Sequence, residues 1–305
     1  MANVYIHVDG STIYYTNEAK EGYELRSTDS WVSANRTVVI ELYNDKFILP
    51  AISSNLFFSA ANTSFDNIDK WDTSEVTNMN YMFQSCRTLS SLDLSSFNTS
   101  NVTTMTSMFG SCESLQSLDL SSFDTYKVTS MYGMFRGCDS LTSLNVSSFN
   151  TSKVTTMNSM FSTCTSLQSL DLSNFDTYSV TDMADMFAGC TSLQSVDLAG
   201  FDTSKVMYTP RMFQGCGNLV TIYAFTDFVV DLVKNSNSMF DNCTNLVGGA
   251  GTVFDSTKID KTYAKIDGGT ADPGYFTFKA NPHGWFECTP YIKENGVWVP
   301  VEVYY

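Results

Sequence analysis

The stretch Val102–Thr125, VTTMTSMFGSCESLQSLDLSSFDT, holds the pattern that organises the whole chain. Its apolar residues Val102, Met105, Met108, Phe109, Cys112 and Leu115 fall at offsets 0, 3, 6, 7, 10 and 13. That spacing predicts one face of a helix or a helix-like turn. Thr99 and Ser100, just before it, supply N-cap side chains. Leu118 and Leu120 then alternate with Asp119, the two-residue period of a short strand. Ser121 to Thr125 turns the chain back, with Phe123 pointing inward.

Outward from this stretch the same residues recur. Cys86, Cys112, Cys138, Cys164, Cys190 and Cys216 are separated by 26 residues each, and Cys243 follows after 27. A Met-Phe pair precedes every one of them, from Met82-Phe83 to Met239-Phe240. A further Met stands three residues before the pair at 79, 105, 131, 157 and 183. Leucines at 89, 115, 141, 167, 193 and 219 and phenylalanines at 97, 123, 149, 175 and 201 keep the same beat. One unit cannot bury its apolar face alone, so about seven copies must stack into a solenoid over 62–250. At strand spacing, seven units make a ladder of about 35 Å.

The repeated pattern, M-F-x-x-C-x-x-L-x-x-L-D-L-S-x-F-x-T-S-x-V-T-x-M, resembles the BspA-type leucine-rich repeats of bacterial surface proteins. More narrowly it is similar to the DUF285, or mycoplasma lipoprotein-type, repeat class. The resemblance covers residues 68–250 and extends to the segment 246–277, which is similar to the closing segment of such arrays. The helical segment and strand read in each unit make this an α/β repeat solenoid; the resemblance implies that it is leucine-rich-repeat-like, with a role in adhesion or recognition at a surface and no catalytic residues.

The flanks read differently. Residues 1–61 contain the β-rich runs VYIHV, TIYYT and TVVIELY, an N-terminal β cap or an attachment segment. Near the end of the array Thr209 takes the Met slot and Pro210 stands where a helix would run, which predicts a distorted unit. Residues 251–279 read as a C-terminal cap. Residues 280–305 hold two β-rich runs around Glu294-Asn295-Gly296, a hairpin signal, with Trp285, Phe286, Tyr291, Trp298, Tyr304 and Tyr305. This aromatic hairpin either packs on the cap or serves as a docking or oligomerisation element.

Composition narrows the function. The 305 residues carry 17 Lys+Arg against 32 Asp+Glu, a net charge of −15. That acidity argues against nucleic acid and anionic membranes as partners. There is no run of 18 apolar residues to insert in a bilayer. Neither a signal-peptide pattern nor a lipid-anchor pattern is apparent, so the chain reads as a virion-surface or extracellular-surface protein with no visible export route. The 14 Met and 8 Cys suggest redox or metal chemistry until their spacing is seen. At inward positions they read as core, with the thiols buried and reduced. Two histidines and no CxxC pair leave zinc without ligands, and no nucleotide fingerprint occurs, so no metal or cofactor is expected.

The outward columns carry the candidate binding residues. Asp93, Asp119, Asn145, Asp171 and Asp197 lie between inward leucines or valines. Like charges on adjacent strands repel, so the column has either a local structural role, bonding nearby Ser hydroxyls or turn amides, or a binding role. Gln116, Gln168 and Gln194 flank it, and Tyr126 and Tyr178 replace Ser at the turn in alternate units. The tyrosines either contribute to recognition or pack on the neighbouring turn. The expectation is a non-enzymatic protein that binds a cell-surface glycan or protein. It would be displayed on a phage virion as a head or tail fibre component, with residues 1–61 or 280–305 meeting other virion proteins. The alternatives are a purely structural virion protein and a bacterial adhesin.

Overall fold

A computed structural model describes residues 3–25, 35–280, 291–294 and 297–300. Its centre is a β-solenoid of eight turns, or rungs. Equivalent residues Ile52, Asn78, Thr104, Ser130, Thr156, Asp182, Tyr208 and Asn235 bridge one to the next in parallel.

The backbone hydrogen bonds explain why 26 residues make one rung. In the second rung the N–H groups of Met82, Gln84 and Cys86 donate back to the carbonyls of Met79, Tyr81 and Phe83, closing tight turns. Between them, the N–H groups of Met79, Tyr81, Phe83 and Ser85 donate to Thr104, Thr106, Met108 and Gly110 of the third rung. Alternation between local and cross-rung bonding requires alternating backbone conformation. Tyr81 and Ser85 sit at φ 58° and 61°, in the left-handed region.

The helix expected over this segment is therefore absent, and the α/β reading gives way to a β-solenoid. The helices among the described residues are three short 3-10 segments at Ile68–Lys70, Lys261–Tyr263 and Gly269–Ala271. The reason is steric. Rungs bonded backbone to backbone rise about 4.8 Å, whereas a helix with its side chains is about 10–12 Å across. Local turns satisfy half of the N–H groups and keep the rung thin.

Four inward columns hold the rungs in register. The rings of Phe83, Phe109, Phe135, Phe161, Phe187, Phe213 and Phe240 stack face on, with centroids 5.5–5.8 Å apart and planes within 13° of parallel. Each array thiol donates to the Phe carbonyl of the rung before, as from Cys138 Sγ to Phe109 O at 3.2 Å. The methionines fill the space between rungs and are fully buried at 79, 105, 131, 157 and 183. The fourth column is threonine. Thr151 Oγ1 donates to Asp176 O at 2.8 Å and accepts the Asp176 N–H at 2.8 Å. Thr73, Thr99 and Thr125 make the same double bond to the next rung.

The Leu-Asp-Leu segments alternate in burial as their period requires, with Leu118 and Leu120 inside and Asp119 outside. Regular strand pairing along this column is confined to β7 (Ser195–Leu198), β8 (Thr221–Ala224) and β9 (Phe276–Phe278), which form a parallel sheet.

The rung containing Pro210 is not distorted, contrary to expectation. Tyr208 bridges both Asp182 and Asn235, and Pro210 O accepts the Asp185 N–H at 2.9 Å. At this position the N–H of other rungs bonds a side chain rather than a neighbouring backbone: Ala184 N bonds Asp182 Oδ1 in its own rung, and Thr106 N bonds Asn80 Oδ1 of the rung before, where the residue preceding Pro210 in the stack, Ala184, offers no such acceptor. A proline there removes no cross-rung bond. Thr209 does carry a cost: Thr209 Oγ1 and Trp71 Nε1 are buried without a hydrogen-bond partner among the described residues.

Before the solenoid, β1 (Tyr5–Asp9), β2 (Thr12–Thr16), β3 (Glu24–Leu25) and β4 (Thr37–Glu41) form one sheet in the order β3-β1-β2-β4. β5 (Phe47–Ile48) then pairs in parallel with β6 (Trp71–Asp72). Tyr15, Phe47 and Phe57 are buried here, joining the sheet to the first rung.

After the solenoid, Asp267 is buried and gathers four donors. It accepts from the N–H groups of Ala250, Thr252 and Gly269 and from the Thr252 hydroxyl, all at 2.7–2.9 Å. Gly248 is required at this crossing, since a Cβ there would lie 2.2 Å from Gly274 O. Beyond it, β10 (Tyr291–Glu294) and β11 (Val297–Pro300) pair antiparallel, as the Asn295-Gly296 signal suggests. The roles considered for Trp285, Phe286, Tyr304 and Tyr305 fall outside the described residues.

Candidate functional site

The solenoid brings the outward column together as successive rungs on its strand side. Asp93, Asp119, Asn145 and Asp171 are exposed and Asp197 is half-buried. Each side chain accepts the N–H two residues ahead: Ser95, Ser121, Ser147, Ser173 and Ala199, at 2.9–3.0 Å. This Asx turn bends the chain out of the strand toward the inward phenylalanine. It also answers the repulsion problem. The bond from Ser95, Ser121 or Ser173 holds the carboxyl of Asp93, Asp119 or Asp171 below the usual carboxylate range. Neutral Asn145 divides the column, and Lys279 pairs with Asp197 at its end.

Gln116, Gln168 and Gln194 are exposed three residues upstream of Asp119, Asp171 and Asp197. Their amides reach no partner among the described residues, so they are available to a ligand, while the Gln168 N–H bonds Thr142 O at 3.3 Å. Together the two columns make a repeated polar surface one rung apart. It offers carboxylate acceptors and carboxamide donors.

Tyr126 and Tyr178 lie on a different corner, at the turn after the buried threonine. Both are about half exposed, at 51% and 54%. Each ring lies under a lysine of the next rung: Lys153 Nζ stands 3.8 Å from the Tyr126 ring centre and Lys205 Nζ 3.3 Å from that of Tyr178. One face of each ring is thus already engaged by a cation. Sequence reasoning missed these lysines, although each follows its tyrosine by 27 residues, one rung plus one position.

The sulfur columns offer no chemistry at the surface. All seven array cysteines are free and buried. Burial pushes the Cys86, Cys164 and Cys216 thiols up to about 12 and raises the others as well. Among the described residues no three His, Cys, Asp or Glu side chains are grouped to hold a metal ion. No helix among the described residues is long and apolar enough to cross a membrane.

Comparison with known proteins agrees with the repeat. The model of the family described as "Mycoplasma protein of unknown function, DUF285" matches residues 53–144 and 129–250. Among solved structures, a leucine-rich repeat protein of T. pallidum is similar at 15% identity, over 81% of this chain and 78% of that one, with a TM-score of 0.22. No curated protein matches the sequence.

Proposed function

Because the chain belongs to the DUF285 family of BspA-type repeat proteins, we propose that it is a non-enzymatic recognition protein whose solenoid presents the Asp and Gln columns to a cell-surface glycan or protein. The observation that carries this reading is geometric. Asp93, Asp119, Asn145, Asp171 and Asp197 occupy one register on consecutive rungs, and the Asx turns fix their side chains before any ligand arrives. Preorganisation of this kind lowers the ordering cost of binding. Repetition at about 4.8 Å suits an extended ligand that makes one weak contact per rung. Tyr126 and Tyr178 would extend the surface with their free ring faces.

Display on a virion, as a head or tail fibre component, fits a protein that folds in a reducing cytoplasm, where seven buried free thiols are stable. Residues 1–61 or 280–305 would then attach it to other virion proteins.

Two experiments test these proposals. The triple change Asp119→Ala, Asp171→Ala and Gln168→Ala should abolish adhesion of the purified chain to target cells; unchanged adhesion would remove the columns from the binding surface. Treating the cells with glycosidases or with protease beforehand separates a glycan ligand from a protein one. For location, mass spectrometry of purified particles should find the chain, and its recovery only from the medium of intact cells would defeat the virion reading.

A further inference from the structure

The regular surface is interrupted between the third and fourth rungs. The position held by Gln84, Arg136 and Gln214 in other rungs is Gly110 in the third. Gly133 and Gly137 likewise stand where the rung before has Ser107 and Ser111. The loss of three side chains in two rungs leaves a notch of about 230 Å³. Its lining includes Gln84, Ser107, Gly110, Glu113, Arg136 and Asp139. It sits on the turns around the Met-Phe-x-x-Cys motif, away from the Leu-Asp-Leu segments.

Ser107 marks it as more than a surface dent. The residue is 5% exposed, and its hydroxyl, which has no hydrogen-bond partner among the described residues, is not fully closed off from solvent. Ser107 lines the notch, and the absence of a side chain at Gly133 leaves room beside its hydroxyl: a Cβ there would lie 2.9 Å from Ser107 Oγ. Open to the notch, the hydroxyl can both donate to and accept from a ligand seated there. The charges balance. Arg136 carries no ion-pair partner among the described residues, Asp139 is half-buried, and Glu113 is held by Arg87 at 3.3 Å. Counting Arg87, which lies outside the lining but pairs with Glu113, two guanidinium groups stand against two carboxylates, with no net attraction for an anion or a cation. What remains is an amphoteric wall, with donors on Arg136, acceptors on Asp139 and Glu113, and both on Gln84 and Ser107. Vicinal hydroxyls, each able to donate and accept, match that wall. The volume lies below the roughly 300–1,000 Å³ of sites for drug-sized ligands, on the scale of one sugar ring.

We propose that this notch binds a single uncharged sugar residue, through hydrogen bonds to Ser107, Arg136, Asp139 and Gln84. The proposal rests on the recognition reading but uses a surface separate from the Asp and Gln columns.

The test is ligand-observed saturation-transfer NMR on the full chain, with glucose, galactose, mannose and N-acetylglucosamine in turn. At least one sugar should receive saturation, and Arg136→Gln and Ser107→Ala should each weaken its binding about tenfold, the loss expected for about one hydrogen bond. Arg136 is exposed, so Arg136→Gln decides the matter if Ser107→Ala fails to fold. No transfer to any of the four sugars, or equal transfer with wild type and Arg136→Gln, would overturn the proposal. So would displacement of the bound sugar by an equal concentration of sodium sulfate or lysine. The Asp119/Asp171/Gln168 triple variant should bind the sugar as wild type does, so that failure of the column surface and failure of the notch are read separately.

Discussion

Replacing Thr151 with valine tests whether the threonine column or simple packing holds the rungs together. Thr151 is 1% exposed, and valine has nearly its shape. The change removes two hydrogen bonds, both to the Asp176 peptide groups of the next rung at 2.8 Å. Leaving a buried donor or acceptor unsatisfied costs about 1–3 kcal/mol each. Asp176 lies at the surface, so water recovers part of this, and the extra methyl returns about 1 kcal/mol. The net expectation is a loss of about 2 kcal/mol. Thr151→Ser keeps both bonds and loses one methyl, about 1 kcal/mol. The order of stability is then wild type, serine, valine, whereas packing alone would place valine above serine. Urea denaturation followed by far-UV circular dichroism gives the order from the midpoints. Repeat arrays can unfold in parts, so the slopes must also agree among the three proteins. The exposed Thr155, bonded to Thr129 O at 3.1 Å, is the control, and Thr155→Val should shift the midpoint little. A valine variant as stable as wild type, or more stable than the serine one, would refute the role given to the column.

Thr209→Val should stabilise the chain by about 1 kcal/mol, because it removes a buried hydroxyl that has no partner; a lower thermal midpoint would count against this. Asp267→Asn should cost about 3 kcal/mol at neutral pH, since the carboxylate accepts four hydrogen bonds. Burial pushes the Asp267 carboxyl up, but hydrogen bonds from Thr252, Gly269 and Ala250 outweigh it and leave the group below its ordinary value. Its contribution is therefore complete above the unfolded value of about 4 and is lost as pH falls through the folded one, so the gap between wild type and variant should close in acid. A gap constant from pH 7 to pH 2 would contradict that assignment. The seven array thiols should resist iodoacetamide at pH 8 in the native protein and react fully in urea, as peptide mapping by mass spectrometry would show; native labelling of Cys138, for example, would mean that the column opens.

The 26-residue beat of Cys, Met-Phe and Leu specified the stacking, the inward columns and the outward position of Asp119 before any coordinates. The helix was misread because offsets of 3, 3, 1, 3 and 3 fit a helical face and a chain of tight turns equally well. The discriminating signal was present beside Cys. Ser85, Ser111, Gly137, Thr163, Gly189, Gly215 and Asn242 are small or polar, and all lie at positive φ, which a helix interior excludes. The threonine of Phe-x-Thr was visible as a fixed position, but its partner 25 residues on becomes apparent only once rungs are superposed. The same holds for the notch. Gly110 is unremarkable along the chain and matters only between Gln84 and Arg136, its neighbours in the stack.

The cross-rung bonds have a consequence for how such a protein changes over generations. Each rung offers the next the same carbonyls, phenylalanine face and threonine hydroxyl that it received from the one before. An in-frame duplication or loss of one unit in the gene would therefore splice into the stack at any internal joint. Length becomes a stepwise variable, about 4.8 Å for each unit gained or lost. Outward side chains that bond no neighbouring rung, such as those of Gln116 and Gln168, are free to diverge in the new rung. Lineages could thus extend or redecorate the surface by copying, without having to solve the folding problem again.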